Sequence, residues 1–179
     1  MDATGLESGH ISRHYLQVAS GRCKRHRPFL KVGTVCDIRT HLIAAVVTAV
    51  GPTNDASHFA PLVRAAAGTL RPASLVGDGA FDCEAFHRLC RERLGIRRTA
   101  FPINHRGFAD YVPKTRYRRE MAEKFPARRY ARRRQAESVY SRLKRRLGGE
   151  LRARTDAGRR WEARIRVLTY NLMILKRSA

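Results

Sequence analysis

Two β-rich runs, FLKVGTVC at residues 29–36 and LIAAVVTAV at residues 42–50, stand on either side of the five residues DIRTH at 37–41. Both runs are rich in β-branched and small apolar residues, and the polar segment between them has a length typical of a hairpin loop. The pattern predicts an antiparallel β-hairpin. The hairpin is followed by βαβ units and then by helices. This order of elements indicates an α/β sheet covered by helices.

Helix and strand patterns alternate after the hairpin. Phe59, Leu62, Val63 and Ala66 are spaced as one face of a helix, and Asp55 is placed to cap it. The expected elements are a helix near 55–69, a buried strand at 73–76, a helix that begins at Asp82 and a strand at 96–101. This alternation is typical of βαβ units.

The C-terminal part is predicted to be a pair of helices. Residues 128–147 form a basic helix that ends at Gly148-Gly149. A last helix over about 159–177 is expected to bury Trp161, Ile165, Leu168, Leu172 and Leu175. Residues 104–128 lack apolar periodicity and are predicted to be a loop.

The charge balance points to a polyanionic partner. Lys and Arg number 37 against 15 Asp and Glu, a net charge of +22, and 31 of the basic residues are Arg. Guanidinium groups match phosphate geometry, so nucleic acid is the first candidate. No run approaches the roughly 18 apolar residues of a membrane helix. Four cysteines without a CxxC pair, and no signal segment, favour a reducing cytoplasm.

One face of the basic helix carries a polar stripe. Tyr130, Arg133, Glu137 and Lys144 are spaced by three, four and seven residues, which keeps all four on one helical face. Such a face can hold a carboxylate that binds a metal, with cations nearby that grip phosphate oxygens. The alternative is a solvated face with ordinary ion pairs between neighbouring turns.

The stripe, written Tyr130-x2-Arg133-x3-Glu137-x6-Lys144, resembles the signature of DDE transposases of bacterial insertion sequences, of the insertion-sequence-four type. Similarity extends from Asp2-Ala3-Thr4-Gly5-Leu6, through Gly77-Asp78-Gly79-Ala80-Phe81-Asp82, to Tyr170-Asn171-Leu172, and so covers nearly the whole chain. The resemblance implies a ribonuclease H-like catalytic domain over residues 1–179, with a mixed sheet flanked by helices.

The resemblance also implies the site. Two aspartates and a glutamate of the family hold two divalent metal ions, and the matching positions here are Asp2, Asp78 and Glu137. Mg²⁺ is the expected metal, with Mn²⁺ as a substitute. Phosphate and DNA contacts are expected from five basic or aromatic residues: Tyr130, Arg133, Arg134, Lys144 and Arg145.

The residues themselves leave alternatives open. Asp78 follows a predicted buried strand, which suits a ligand site, but an aspartate there also suits a turn or cap. Asp37 is a rival first carboxylate, although its hairpin loop makes ordinary turn chemistry the simpler interpretation. His10, His14 and His26 lack the spacing of zinc ligands.

The preferred hypothesis is a DNA transposase that cleaves at element ends and transfers the exposed strand into target DNA. It would act in the cytoplasm at the nucleoid, with DNA as partner and a homodimer forming on the DNA. The alternatives are a truncated remnant that only binds DNA and a basic structural protein that binds nucleic acid. Because the family's DNA-recognition region lies upstream and is absent here, the chain is expected to be truncated. Met1 to Thr4 then supply too few residues for a central strand, and Asp2 is expected to be poorly held.

Overall fold

The fold is a mixed α/β architecture with two sheets. The computed structural model describes residues 1–9, 29–51, 53–105 and 111–178. The strands are β1 (Asp2–Ser8), β2 (Phe29–Cys36), β3 (Ile43–Val50), β4 (Ser74–Val76), β5 (Arg98–Ala100) and β6 (Glu150–Leu151). A four-stranded sheet has the order β3-β2-β1-β6, and β4 pairs with β5 in a two-stranded parallel sheet. This mixed sheet with helical cover is the predicted class and is consistent with a ribonuclease H-like fold.

The predicted hairpin is confirmed. Strands β2 and β3 pair antiparallel from Leu30 opposite Val50 to Cys36 opposite Ile43. In the loop, the Asp37 carboxylate accepts hydrogen bonds from the Arg39 amide at 3.0 Å and the Thr40 hydroxyl at 2.9 Å. Asp37 is therefore a turn residue, as the simpler interpretation had it.

The first strand is longer than expected, and the prediction of a poorly held Asp2 was wrong. Strand β1 runs seven residues and lies between β2 and β6. It pairs antiparallel with β2 from Asp2 opposite Thr34 to Glu7 opposite Phe29. Residues beyond Thr4 continue the strand, and Leu6 is buried against the helical layer at 2% exposure. The ladder and this burial supply the support that four residues alone would lack.

The helices cover the sheets as predicted in outline. They are α1 (Ala56–Leu70), α2 (Glu84–Arg88, continued by a π-helical turn Leu89–Arg93), α3 (Arg116–Glu123), α4 (Ala127–Tyr130), α5 (Arg134–Leu147) and α6 (Asp156–Ser178). A 3-10 turn, Ala131–Arg133, joins α4 to α5. Within the described residues, no helix is both long and apolar enough to cross a bilayer.

Helix α1 buries the predicted face. Phe59, Leu62, Val63 and Ala66 are at most 1% exposed. The Phe59 ring stacks on that of Phe86 with centroids 4.1 Å apart, and meets that of Phe101 edge-on at 5.5 Å. This aromatic cluster holds the β4–β5 unit to the rest of the core.

Helix α3 lies inside the stretch that was predicted to be a loop. Its anchor is polar, since Arg118 donates two hydrogen bonds to the buried Asp82 carboxylate at 2.8 and 2.6 Å. Tyr117 and Met121 are also buried. A helix fixed by an ion pair shows little apolar periodicity, which is why the pattern missed it.

Helix α6 packs by a different face from the predicted one. The side chains expected in the core are more than half exposed: Trp161, Ile165, Leu168, Leu172 and Leu175. The buried side chains are instead Ala163, Val167, Tyr170 and Ile174. Asn171 sets the rotation of the helix, because its side chain donates to the Ile43 carbonyl and accepts from the Ile43 amide, both at 2.9 Å.

Candidate active site

Strand ends bring two of the predicted carboxylates near each other. Asp2 begins β1, and Asp78 follows the last residue of β4 by two positions. The Met1 nitrogen donates to the Val76 carbonyl at 2.8 Å, which joins the start of β1 to the end of β4. Asp2 and Asp78 therefore belong to one neighbourhood, although 75 residues separate Met1 from Val76.

Asp2 is half-buried and held at both oxygens. Its Oδ1 accepts from the Ala3 amide at 2.9 Å, and its Oδ2 accepts from Arg133 Nη1 at 3.1 Å. Burial raises the pKa of Asp2, opposed by the Ala3 amide and the Arg133 charge, while Asp78 adds a smaller push upward. Such a site disfavours unbalanced negative charge and is suited to a cation.

Arg133 connects the predicted carboxylates. Its Nη2 lies 2.6 Å from Glu137 Oε1, while its Nη1 contacts Asp2. Burial alone would lower the pKa of Arg133, but the nearby Asp2, Glu137 and Asp78 carboxylates, together with Tyr130, raise it. The Arg133 guanidinium thus interacts electrostatically with all three predicted carboxylates.

Asp78 is exposed and also acts as a cap. Its carboxylate accepts from the Ala80 amide at 3.3 Å at the start of the 3-10 turn Gly79–Phe81. The capping interpretation is therefore realised, and the exposed carboxylate remains open to a further ligand. Gly77 lies in a tightly packed position, because a Cβ there would lie 3.0 Å from the Phe81 ring and 3.2 Å from Phe101.

The polar stripe spans three short elements. Tyr130 ends α4, Arg133 ends the 3-10 turn, and Glu137 and Lys144 lie on α5. The single helix predicted over 128–147 is therefore interrupted by a tighter turn. The Glu137 side chain is 54% exposed, and Lys144 is half-buried two turns further on.

Arginines extend from the stripe on two sides. A shallow open groove along α5 is lined by Glu137 with Arg134, Arg142 and Arg145. On the other side, a cavity of about 550 Å³ adjoins Met1, and its lining includes Arg39, Arg71, Arg129, Arg132 and Arg133. Both surfaces are suited to phosphate groups.

The donor set fits a hard divalent cation. Asp2, Asp78 and Glu137 offer only carboxylate oxygens, which Mg²⁺ and Mn²⁺ prefer. In the part of the chain that the structure describes, however, no three His, Cys, Asp or Glu side chains are close enough to form a metal cluster. Arg133 lies between Asp2 and Glu137, so a cation there would have to replace its guanidinium.

Tyr140 is a site residue that the sequence patterns did not single out. It was assigned to the apolar side of the helix, and it is indeed 7% exposed. Its hydroxyl nevertheless donates to the Asp2 carbonyl at 2.6 Å and accepts from the Thr34 hydroxyl at 2.9 Å. The available signal was the residue type, because a buried tyrosine usually has a hydrogen-bond partner.

Comparison with known proteins identifies the family of the chain. Residues 1–172 match the family described as Transposase DDE domain. Searches of the curated proteins and of the solved structures gave no match. Since the family match covers nearly all of the sequence, the chain belongs to the transposase DDE domain family.

Proposed function

We propose that this chain is the catalytic domain of a DNA transposase of the insertion-sequence-four type, which cuts DNA at element ends and joins the freed 3′ hydroxyl to target DNA. The observation that carries the proposal is the contact of one guanidinium, Arg133, with both Asp2 and Glu137, beside Asp78. Family membership supports DNA as the substrate class and a nuclease-type reaction as the chemistry. The domain extends over residues 1–179.

Asp2, Asp78 and Glu137 are the proposed metal-holding residues. When bound, two Mg²⁺ ions, or Mn²⁺ in their place, would supply activation of the attacking water or hydroxyl and stabilisation of the leaving oxygen. Because the Asp2 side chain is half-buried, it would hold the positive charge of the metal ions at the start of β1. No covalent bond between protein and DNA is required, so no side chain serves as nucleophile.

Arg133 has two roles in this proposal. In the free protein it neutralises Asp2 and Glu137. When DNA and metal enter, its guanidinium is free to bind a phosphate next to the scissile bond. Tyr130, whose ring centroid lies 6.0 Å from the Arg133 Cζ, helps to orient that guanidinium.

The remaining cations are proposed to hold the DNA backbone. Lys144, Arg134 and Arg145 lie along α5, the latter two in the groove that contains Glu137. Contacts to about six phosphates would make binding fall by roughly 10³-fold over a modest rise in salt. We propose further that two copies assemble on DNA, at the nucleoid in the cytoplasm.

A metal-dependent nicking assay on element-end DNA tests the proposal. Glu137→Gln should abolish cleavage in Mg²⁺ while DNA affinity and melting temperature stay close to wild type, because a charge is lost with little change in volume. Glu123→Gln, an exposed change on α3, is the matched control and should cut normally.

Two results would contradict the proposal. Cleavage by Glu137→Gln at the wild-type rate would remove Glu137 from the site. DNA binding by the wild-type chain without any metal-dependent nicking would favour the alternative of a remnant that only binds DNA.

A further inference from the structure

A buried hydroxyl joins the helix that carries Glu137 to the strand that carries Asp2. Tyr140 lies on α5 three residues after Glu137. Its hydroxyl donates to the Asp2 main-chain carbonyl at 2.6 Å, with a longer contact of 3.4 Å to the Val32 carbonyl. Helix and strand are thus connected by a directional bond that ends on Asp2 itself and starts three residues from Glu137.

Thr34 completes the network from the neighbouring strand. It is the residue opposite Asp2 in the β1–β2 ladder. Its hydroxyl donates to the Tyr140 hydroxyl at 2.9 Å, and its side chain is buried, with 1% of the residue exposed. Because Thr34 supplies the donor, the single Tyr140 proton is directed to the Asp2 carbonyl.

The other buried tyrosine of the C-terminal helical pair shows that this arrangement is not general. Tyr170 on α6 is 1% exposed, yet within the described residues its hydroxyl has no hydrogen-bond partner. Both tyrosines fill core space, but only Tyr140 reaches the proposed site. Core packing therefore explains why both tyrosine rings are buried, but it does not explain the hydrogen bonds of the Tyr140 hydroxyl.

We infer that Tyr140 is a positioning residue that sets the separation of the Asp2 and Glu137 carboxylates. Its buried ring sets the distance between α5 and the sheet, and the hydrogen bond of its hydroxyl holds α5 next to the start of β1. The main-chain carbonyl of Asp2 is the point of contact, so Tyr140 does not occupy the carboxylate oxygens, which contact the Ala3 amide and Arg133 instead. This inference rests on the proposed function, since it takes Asp2 and Glu137 to be metal ligands.

The test measures Mn²⁺ binding to the full chain by calorimetry and by electron paramagnetic resonance, beside thermal unfolding without metal. Tyr140→Phe should weaken Mn²⁺ binding by about tenfold, the lower end of what outer-shell changes cost at metal sites. Tyr170→Phe is the matched control and should leave Mn²⁺ affinity unchanged. Thr34→Val should reproduce part of the Tyr140→Phe loss, and Thr34→Ser, which keeps the hydroxyl, should restore wild-type affinity.

The outcomes separate this inference from the proposed function. Equal Mn²⁺ affinity in Tyr140→Phe and Tyr170→Phe, while Glu137→Gln loses binding, would overturn the positioning role alone. Wild-type Mn²⁺ affinity in Glu137→Gln and Asp2→Asn would overturn the metal site and the inference with it. If Tyr140→Phe fails to fold, the Thr34→Val and Thr34→Ser pair decides, and equal affinity in those two would reject the role.

Discussion

Arg133 Nη1 lies 3.1 Å from Asp2 Oδ2, although 131 residues separate the two in the chain. The same guanidinium lies 2.6 Å from Glu137 Oε1, so one cation neutralises two acids on different elements. Both acids would otherwise repel each other across a half-buried gap. Arg133 therefore occupies the place where the proposed function requires a metal.

Removing Arg133 should strengthen metal binding. Arg133→Ala leaves Asp2 and Glu137 without their cation, so Mn²⁺ affinity should rise by about fivefold, the scale of a partly exposed ion pair. DNA affinity should fall in the same variant, because a phosphate contact is lost. Titration calorimetry with Mn²⁺ measures the first effect. As a control, Arg134→Ala removes an exposed charge at the adjacent position and should not change Mn²⁺ affinity. Weaker Mn²⁺ binding by Arg133→Ala would contradict the prediction and show that Arg133 instead holds the carboxylates in place.

Breaking the buried ion pair beneath α3 should cost much stability. Arg118→Met would leave the Asp82 carboxylate, whose side chain is 0% exposed, without its cationic partner, at a cost of about 3–5 kcal/mol. The double variant Arg118→Met with Asp82→Asn should lose less than the sum of the single changes. Urea unfolding of the three variants measures this coupling. Additive losses would mean that the two side chains act independently.

The two faces of α6 should respond differently to the same polar side chain. Val167→Gln places a polar group in the core and should lower the free energy of unfolding by about 2–4 kcal/mol. Leu168→Gln, one residue further on an exposed face, should change it by no more than about 0.5 kcal/mol. Chemical denaturation compares them directly. A larger loss at Leu168 would mean that the predicted face, not the observed one, is buried.

His87 should make stability depend on pH. Burial lowers the pKa of His87 to about 4, with Asp82 and Glu84 opposing the shift and Arg91 adding to it. Since the unfolded chain binds the proton first, stability is fully present above about pH 6.5 and falls as the pH drops toward 4, by up to about 3 kcal/mol.

The variant His87→Gln isolates this contribution. It keeps a polar group near the Thr99 hydroxyl, which lies 2.6 Å from His87 Nδ1. Unfolding in urea at pH 7, 5.5 and about 4.5 should show a steeper loss for wild type than for the variant. Parallel pH profiles would place the His87 pKa near its ordinary value.

Local patterns were sufficient for most elements, but not for the choice of Asp2 and Asp78 as site residues. The hairpin, the buried face of α1 and the short strand β4 follow from alternation and spacing, which depend on near neighbours in the chain. The predicted caps were wrong, because among the described residues Asp55 makes no capping hydrogen bond and Asp82 pairs with Arg118. Spacing also predicted one face for Tyr130, Arg133, Glu137 and Lys144, of which the structure brings Arg133 to Glu137 and to the Tyr130 ring. The metal roles of Asp2, Asp78 and Glu137 rest on the family resemblance and stay predictions.

The residue pattern by itself determined the order of elements and the strongly basic character of the chain, whereas the candidate acids were named through the family resemblance. Only the tertiary structure decided which face of α6 is buried, because Asn171 binds the Ile43 backbone and two stripes of apolar residues compete on one helix. It also decided that α3 forms around Arg118 and Asp82, and that Tyr140 reaches the Asp2 carbonyl. These choices depend on contacts between residues 36 to 138 positions apart, whose geometry no local period contains.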